Sequence, residues 1–208
     1  MSSHIINGLA GKLEALLEQP DSVDPNTPVA IVCHPHTLYG GTMQNKVVHT
    51  IAKVCLKLGM PVLRFNFRGA GNSEGHFEHG LGEQADLNTV VEWIQSKYPS
   101  HPIWLAGFSF GSFVTYKSFH QVNAERLLLV APPVGLFEFQ SEINVDIPWT
   151  VIQGKDDEIT PPDSVEAWVK SHATPPDFYY LDDVSHFFHG KLILLRDILQ
   201  DIWGNKAG

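Results

Sequence analysis

Apolar positions along the chain fall into two alternating patterns. One is a set of short, mostly apolar runs: Val29-Ala30-Ile31-Val32-Cys33, Pro61 to Phe67, Ile103-Trp104-Leu105-Ala106, Arg126 to Ala131, Trp149 to Gln153 and Asp177 to Leu181. Runs this short, bounded by glycine, proline or polar clusters, suit strands of a parallel sheet covered on both faces. Between them apolar residues recur at helical spacing. Val47, Ile51, Cys55 and Leu58 form one stripe, stopped by Gly59 and Pro61. Leu87, Val90, Val91, Ile94 and Tyr98 form another, stopped by Pro99, and Leu192, Leu195, Leu199, Ile202 and Trp203 form a last one before Gly204. Two more helices are predicted, over Ser112 to His120 and after Thr160-Pro161-Pro162-Asp163, where the Thr160 hydroxyl is the expected cap.

Ahead of this alternation stand two β-prone pieces, His4 to Asn7 and Lys12 to Glu18, split by Gly8 and Gly11. They read as an antiparallel edge hairpin, although Leu13-Glu14-Ala15-Leu16-Leu17 also fits a helix. Strands that alternate with helices give an α/β fold, a mostly parallel central sheet with helices on both faces. No linker divides the chain, so residues 1–208 are expected to form a single domain. The connection 132–148 is too short for a cap domain, leaving Phe137 and Phe139 as a partial wall to any site beside it.

The run Ile103 to Ala106 leads into Gly107-Phe108-Ser109-Phe110-Gly111, a G-x-S-x-G pentapeptide followed by a predicted helix. A serine in that position sits in a tight strand-to-helix turn with its hydroxyl pushed out at the top of the sheet. Gly107 and Gly111 fit because the turn leaves no room for a Cβ on either side. A second match, Gly71-Asn72-Ser73-Glu74-Gly75, follows the polar turn Arg68-Gly69-Ala70-Gly71 and opens no apolar helix. Ser109 is therefore the expected nucleophile, and the Arg68–Ser73 turn reads as structural.

A serine hydroxyl attacks only when a base takes its proton, and that base needs an acid to fix its tautomer. Downstream, Gly154-Lys155-Asp156-Asp157 closes one strand with two aspartates. Further on, His186-Phe187-Phe188-His189 follows the last strand. In a sheet of this type the order is serine, acid, histidine.

Charge and composition then narrow the partners. The net charge of −9 argues against nucleic acid or an anionic membrane as a partner. The segment Met1 to Gly8 lacks the pattern of a secretory signal, and no apolar stretch approaches a membrane span. Cys33 and Cys55 read as buried thiols of a reducing compartment, so a cytoplasmic location is expected. No cofactor is expected. The pairs His34-x-His36 and His76-x-x-His79 have ligand-like spacing but lack a clear third ligand, so no metal is expected either. His172, at the end of a predicted helix, is expected to bond that helix's carbonyls.

Taken together, His34-Pro35-His36 with Gly40-Gly41, the Arg68–Ser73 turn, the Gly107–Gly111 elbow, Gly154–Asp157 and His186–Phe188 resemble the α/β-hydrolase superfamily, within it the small, lidless group of hydrolases. The likeness runs from about residue 28 to the end. It implies an α/β-hydrolase fold with Ser109 as nucleophile, His186 as general base and Asp157 as its orienting acid. His189 is the alternative for the base and Asp156 for the acid. It further implies an oxyanion hole from the backbone N–H of Phe110 and one from His36 or Thr37. The expected activity is a carboxylesterase-like hydrolysis of small or short-chain ester-like substrates, with thioesterase, peptidase or a non-catalytic binding module as the other readings.

Overall fold

In the computed structural model, which describes residues 1–139 and 143–204, an eight-stranded sheet forms the centre of the molecule. Its strands are β1 (Ser2–Gly8), β2 (Gly11–Glu18), β3 (Val29–Cys33), β4 (Val62–Phe65), β5 (Ile103–Phe108), β6 (Arg126–Val130), β7 (Trp149–Gly154) and β8 (Asp177–Leu181). Their spatial order is β1-β2-β4-β3-β5-β6-β7-β8. Strands β3 to β8 run parallel, while β1 and β2 form the antiparallel edge hairpin and β2 joins β4 antiparallel. Leu13 to Leu17 is a strand despite its helix-compatible spacing, because pairing on both sides satisfies its backbone groups. This is the α/β-hydrolase fold expected from the sequence.

Helices α1 (Lys46–Lys57) and α5 (Leu192–Gly204) cover one face of the sheet. Helices α2 (Leu81–Lys97), α3 (Phe110–Ser118) and α4 (Pro162–Ser171) cover the other. Strand β3 shows why its sequence is a continuous apolar run. Val29, Ile31 and Cys33 enter the core under α2, α3 and α4, while Ala30 and Val32 enter the core under α1 and α5. Cys33 and Cys55 are free thiols buried in these cores. The two thiols are pushed up by that burial. Among the described residues no helix is long and apolar enough to cross a membrane, and no cap domain covers the sheet; positions 140–142 of the connection 132–148 lie outside the described residues.

Two helix starts differ from expectation. Helix α3 begins at Phe110, immediately after Ser109, and ends at Ser118 rather than His120. The elbow itself nucleates the first turn, since the Ser109 carbonyl already accepts the Ser112 N–H at 2.8 Å. Helix α4 has Pro161 at its cap and no side-chain capping bond, and the Thr160 hydroxyl is buried without a partner. The Asp157 carboxylate accepts the N–H groups of Ile159 and Thr160, in the turn just ahead of the helix.

Candidate active site

The sheet delivers four chain segments to one end. β3, β5, β7 and β8 each finish there, and the residues beyond them, His34 to Gly41, Ser109, Asp157 and His186, lie past the carboxyl ends of their strands.

Ser109 occupies a strained turn, with φ 52° and ψ −120°. Such a conformation persists only when its surroundings over-determine it. Here the Ser109 N–H donates to Val130 O at 2.9 Å, and the Ser112 hydroxyl lies 2.9 Å from Gly107 O and 3.0 Å from Val130 O. A Cβ on Gly107 would collide with the Gly111 carbonyl, and one on Gly111 with the Cys33 carbonyl, so both glycines are needed for the close approach of elbow, helix and β3.

From Ser109 a hydrogen-bonded chain runs inward. Its Oγ is 2.9 Å from His186 Nε2, and His186 Nδ1 is 2.8 Å from Asp157 Oδ2. All three residues are buried. Asp157 accepts three further bonds: from Gln153 Nε2 at 2.9 Å, and on its other oxygen from the N–H groups of Ile159 at 2.9 Å and Thr160 at 2.7 Å. Burial pushes the Asp157 carboxyl up. The hydrogen bond and charge of His186, aided by Thr160 and Gln153, outweigh it and hold the carboxyl below its ordinary value. A carboxylate facing Nδ1 keeps that nitrogen protonated, so Nε2 is free to accept a hydroxyl proton.

The alternatives lie elsewhere. Asp156 is exposed and its N–H donates to Val184 O. His189 is exposed, its ring 5.9 Å from that of Phe187. Ser73 is buried in a structural role, its hydroxyl donating to Asn66 O at 2.7 Å and accepting the Glu14 N–H at 2.9 Å. Arg68, in the same turn, is tied to Asp86 and Glu78. His172 is 2.9 Å from Trp168 O as expected, and its other ring nitrogen is 3.0 Å from the Tyr116 hydroxyl.

The two histidines after β3 divide sharply. His34 is fully buried: Nε2 accepts the Phe67 N–H at 3.0 Å, and Nδ1 is 2.6 Å from Pro35 O. With both ring nitrogens engaged, His34 offers no lone pair to a metal, and burial lowers its pKa to about 4. His36 instead lines a cavity of about 330 Å³ together with Ser109, Phe110, Phe137, His186 and Phe187. Its ring packs against Phe77, Tyr39, Phe110 and Phe137. Thr37 is not part of that wall. Phe137 forms the expected wall, whereas Phe139 packs into the core on Phe113, Tyr116 and Trp168.

Gln153 and Glu158 escaped the sequence reading. Gln153 braces Asp157, and Glu158 accepts the His186 N–H at 3.1 Å. For Gln153 a signal did exist: a long polar side chain next to last in a fully buried strand.

Residues 26–143 match the family model described as serine aminopeptidase, S33. An α/β serine hydrolase without lid from Xanthomonas campestris superposes with a TM-score of 0.90 at 41% identity, covering 96% of this chain and 92% of its own. An α/β serine hydrolase homologue from Coxiella burnetii gives 0.90 and 41%, with 95% of each chain covered. An uncharacterized protein of Rickettsia prowazekii is 34% identical over 196 residues, 89% of this chain and 81% of that protein. Sheet order, elbow and matched sequence agree: the chain belongs to the α/β-hydrolase superfamily, in the family of the serine aminopeptidase S33 model, and is similar to α/β serine hydrolases, one of them without lid.

Proposed function

We propose that the chain is a serine esterase of the carboxylesterase type, acting on small ester-like molecules through an acyl-enzyme. The observation that carries this reading is the unbroken chain from Ser109 Oγ through His186 to Asp157, at 2.9 and 2.8 Å. Ser109 Oγ attacks the ester carbonyl carbon while its proton passes to His186 Nε2. The resulting oxyanion is held by the N–H groups of Phe110, at the start of α3, and His36, the loop residue that shares the cavity with Ser109. Collapse of the tetrahedral intermediate breaks the bond to the alcohol oxygen, which takes the proton from His186. Water then repeats the sequence on the acyl-enzyme, releasing the acid and restoring Ser109.

The cavity wall favours an ester over the free-amine peptide that an aminopeptidase, the activity in the family description, would take. A substrate α-amine calls for a carboxylate to pair with, and among the described residues none that lines the cavity is Asp or Glu. In this reading the whole chain is one domain, and it works in the cytoplasm, where its two free buried thiols stay reduced.

A fluorophosphonate probe tests the assignment. The expected adduct is on Ser109, and Ser109→Ala should abolish both the adduct and p-nitrophenyl butyrate hydrolysis. A label on Ser73, or turnover by Ser109→Ala, would sink it.

A further inference from the structure

Beside the 330 Å³ cavity lies a second, of about 580 Å³, between the segment Gly40 to Val47 and the segment Phe187 to Leu192. The two share Gly40, Asn45 and Phe187. Their linings differ in kind. Phe110, Pro133, Leu136, Phe137 and Ile159 make the first largely apolar, whereas Thr42, Gln44, Asn45, Lys46 and His189 give the second its character.

The proton transfer orients a substrate across the pair. His186 Nε2 must hand its proton to the leaving oxygen, so the leaving alcohol lies on the His186 side of Ser109. Ser109 and His186 themselves line the first cavity; the second adjoins it at Gly40, Asn45 and Phe187 and is walled by Phe187 to Leu192, the residues that follow His186 in the chain. The acyl part is then left to the apolar cavity, beneath Phe137 and Leu136.

Asn45 stands at the junction with its amide orientation fixed. Its Oδ1 accepts the Val47 N–H at 2.8 Å as the cap of α1, so its Nδ2 donor is the group left to face a ligand. Among the described residues, the side chains of Gln44, Lys46 and His189 enter no hydrogen bond or ion pair. The cleft therefore presents donors at Asn45 Nδ2 and Lys46 Nζ, beside Gln44 and His189, which can donate or accept. We propose that the substrate divides at Ser109: a small apolar acyl group occupies the 330 Å³ cavity, and a hydroxylated, acceptor-rich alcohol such as glycerol or a sugar occupies the 580 Å³ cleft. This rests on the esterase reading above and names the substrate class for it.

The test compares glyceryl monobutyrate with n-pentyl butyrate, each rate divided by the ester's own hydroxide-catalysed rate to remove leaving-group reactivity. Both esters form the same butyryl-enzyme, so discrimination by the cleft appears in kcat/KM, which reports acylation. The normalised kcat/KM should favour the glyceryl ester about 10-fold or more, the size of one or two polar contacts. Asn45→Asp keeps the capping oxygen and replaces the donor, and Lys46→Ala/His189→Ala removes two more. Each should cut the ratio at least about 3-fold. A wild-type ratio at or below one, or a ratio unmoved by both variants, overturns the proposal even though Ser109 labels and both esters turn over. Loss of labelling and of all turnover in the wild type would instead overturn the esterase reading beneath it.

Discussion

At the scale of single residues, Asp156 and Asp157 differ by one position and by everything around them. Asp157 is buried with four hydrogen bonds on its two oxygens, and Asp156 faces solvent. If Asp157 orients His186, then Asp157→Asn presents an amide N–H where Nδ1–H needs an acceptor, and the imidazole turns to the wrong tautomer. The corresponding change in the serine proteases costs about 10⁴ in kcat. We expect a fall of that order for Asp157→Asn and less than about 3-fold for Asp156→Asn, an exposed polar change; steady-state kinetics on p-nitrophenyl butyrate checks it, and the reverse ranking would reassign the acid. Gln153→Leu should act through the same carboxylate, lowering kcat by a smaller factor because it removes one of four bonds.

At the scale of elements, the loop from β3 to α1 is fixed by side chains it meets only in the fold. His34 holds the Phe67 N–H, and Met43 is clamped by both backbone groups, its N–H to Asn66 Oδ1 at 2.7 Å and its carbonyl to Arg64 Nη1 at 2.9 Å. Arg64 is itself paired with buried Glu18 at 2.6 Å. His34 makes this arrangement sensitive to pH. The folded protein keeps it neutral down to about pH 4, while the unfolded chain takes up the proton near 6.5. Its contribution is therefore intact above pH 6.5 and is lost as the pH falls toward 4, about 3 kcal/mol across that window. His36, lowered by burial and by His79, and His49, lowered by burial and by Arg64 and Lys53, add slopes of the same sign. Asp157, held below its ordinary value, gives up its contribution only at lower pH. Urea unfolding between pH 7 and 4.5 should show this loss, and His34→Gln should flatten it by about one proton; an equal slope in the variant would overturn it. The elbow is the other constrained element. Gly107→Ala forces a Cβ against the Gly111 carbonyl and should cost about 1–3 kcal/mol, read as a lower Tm together with reduced Ser109 labelling.

At the scale of the whole molecule, the site is open above. Four of the large exposed apolar side chains, Tyr39, Leu136, Ile159 and Phe187, border the Ser109 cavity, with Leu38 next to Tyr39 in the chain. At about 330 Å³ this cavity is near the lower end of small-molecule sites. Each acyl methylene that stays inside gains about 0.8 kcal/mol, roughly 4-fold in kcat/KM. Without a cap that gain ends where the wall ends, so a p-nitrophenyl ester series should rise over the first few carbons and then level or fall. A steady rise into long chains, or activation at a lipid interface, would show that something else encloses the substrate.

Much of this molecule was legible along the chain. The order of strands and helices follows from runs and stripes that each element carries within itself. The elbow could be told from the second G-x-S-x-G because only Ser109 stands between a buried strand and a helix, a local relation. What the chain alone left open concerns groups far apart in sequence. Whether Leu13 to Leu17 is strand or helix depends on the partners at Ser2 to Ile6 and Val62 to Phe65. Which of His34 and His36 faces the cavity depends on where the Phe67 N–H falls. Thr160 was expected to cap α4, yet its hydroxyl finds no partner and its own N–H goes to the Asp157 carboxylate, which also meets His186 from 29 residues further on. Local pattern determines which elements form, because burial and backbone bonding act within a few residues. The contents of a site are decided by convergence, since hydrogen-bond partners are chosen among whatever groups the packed sheet brings within about 3 Å.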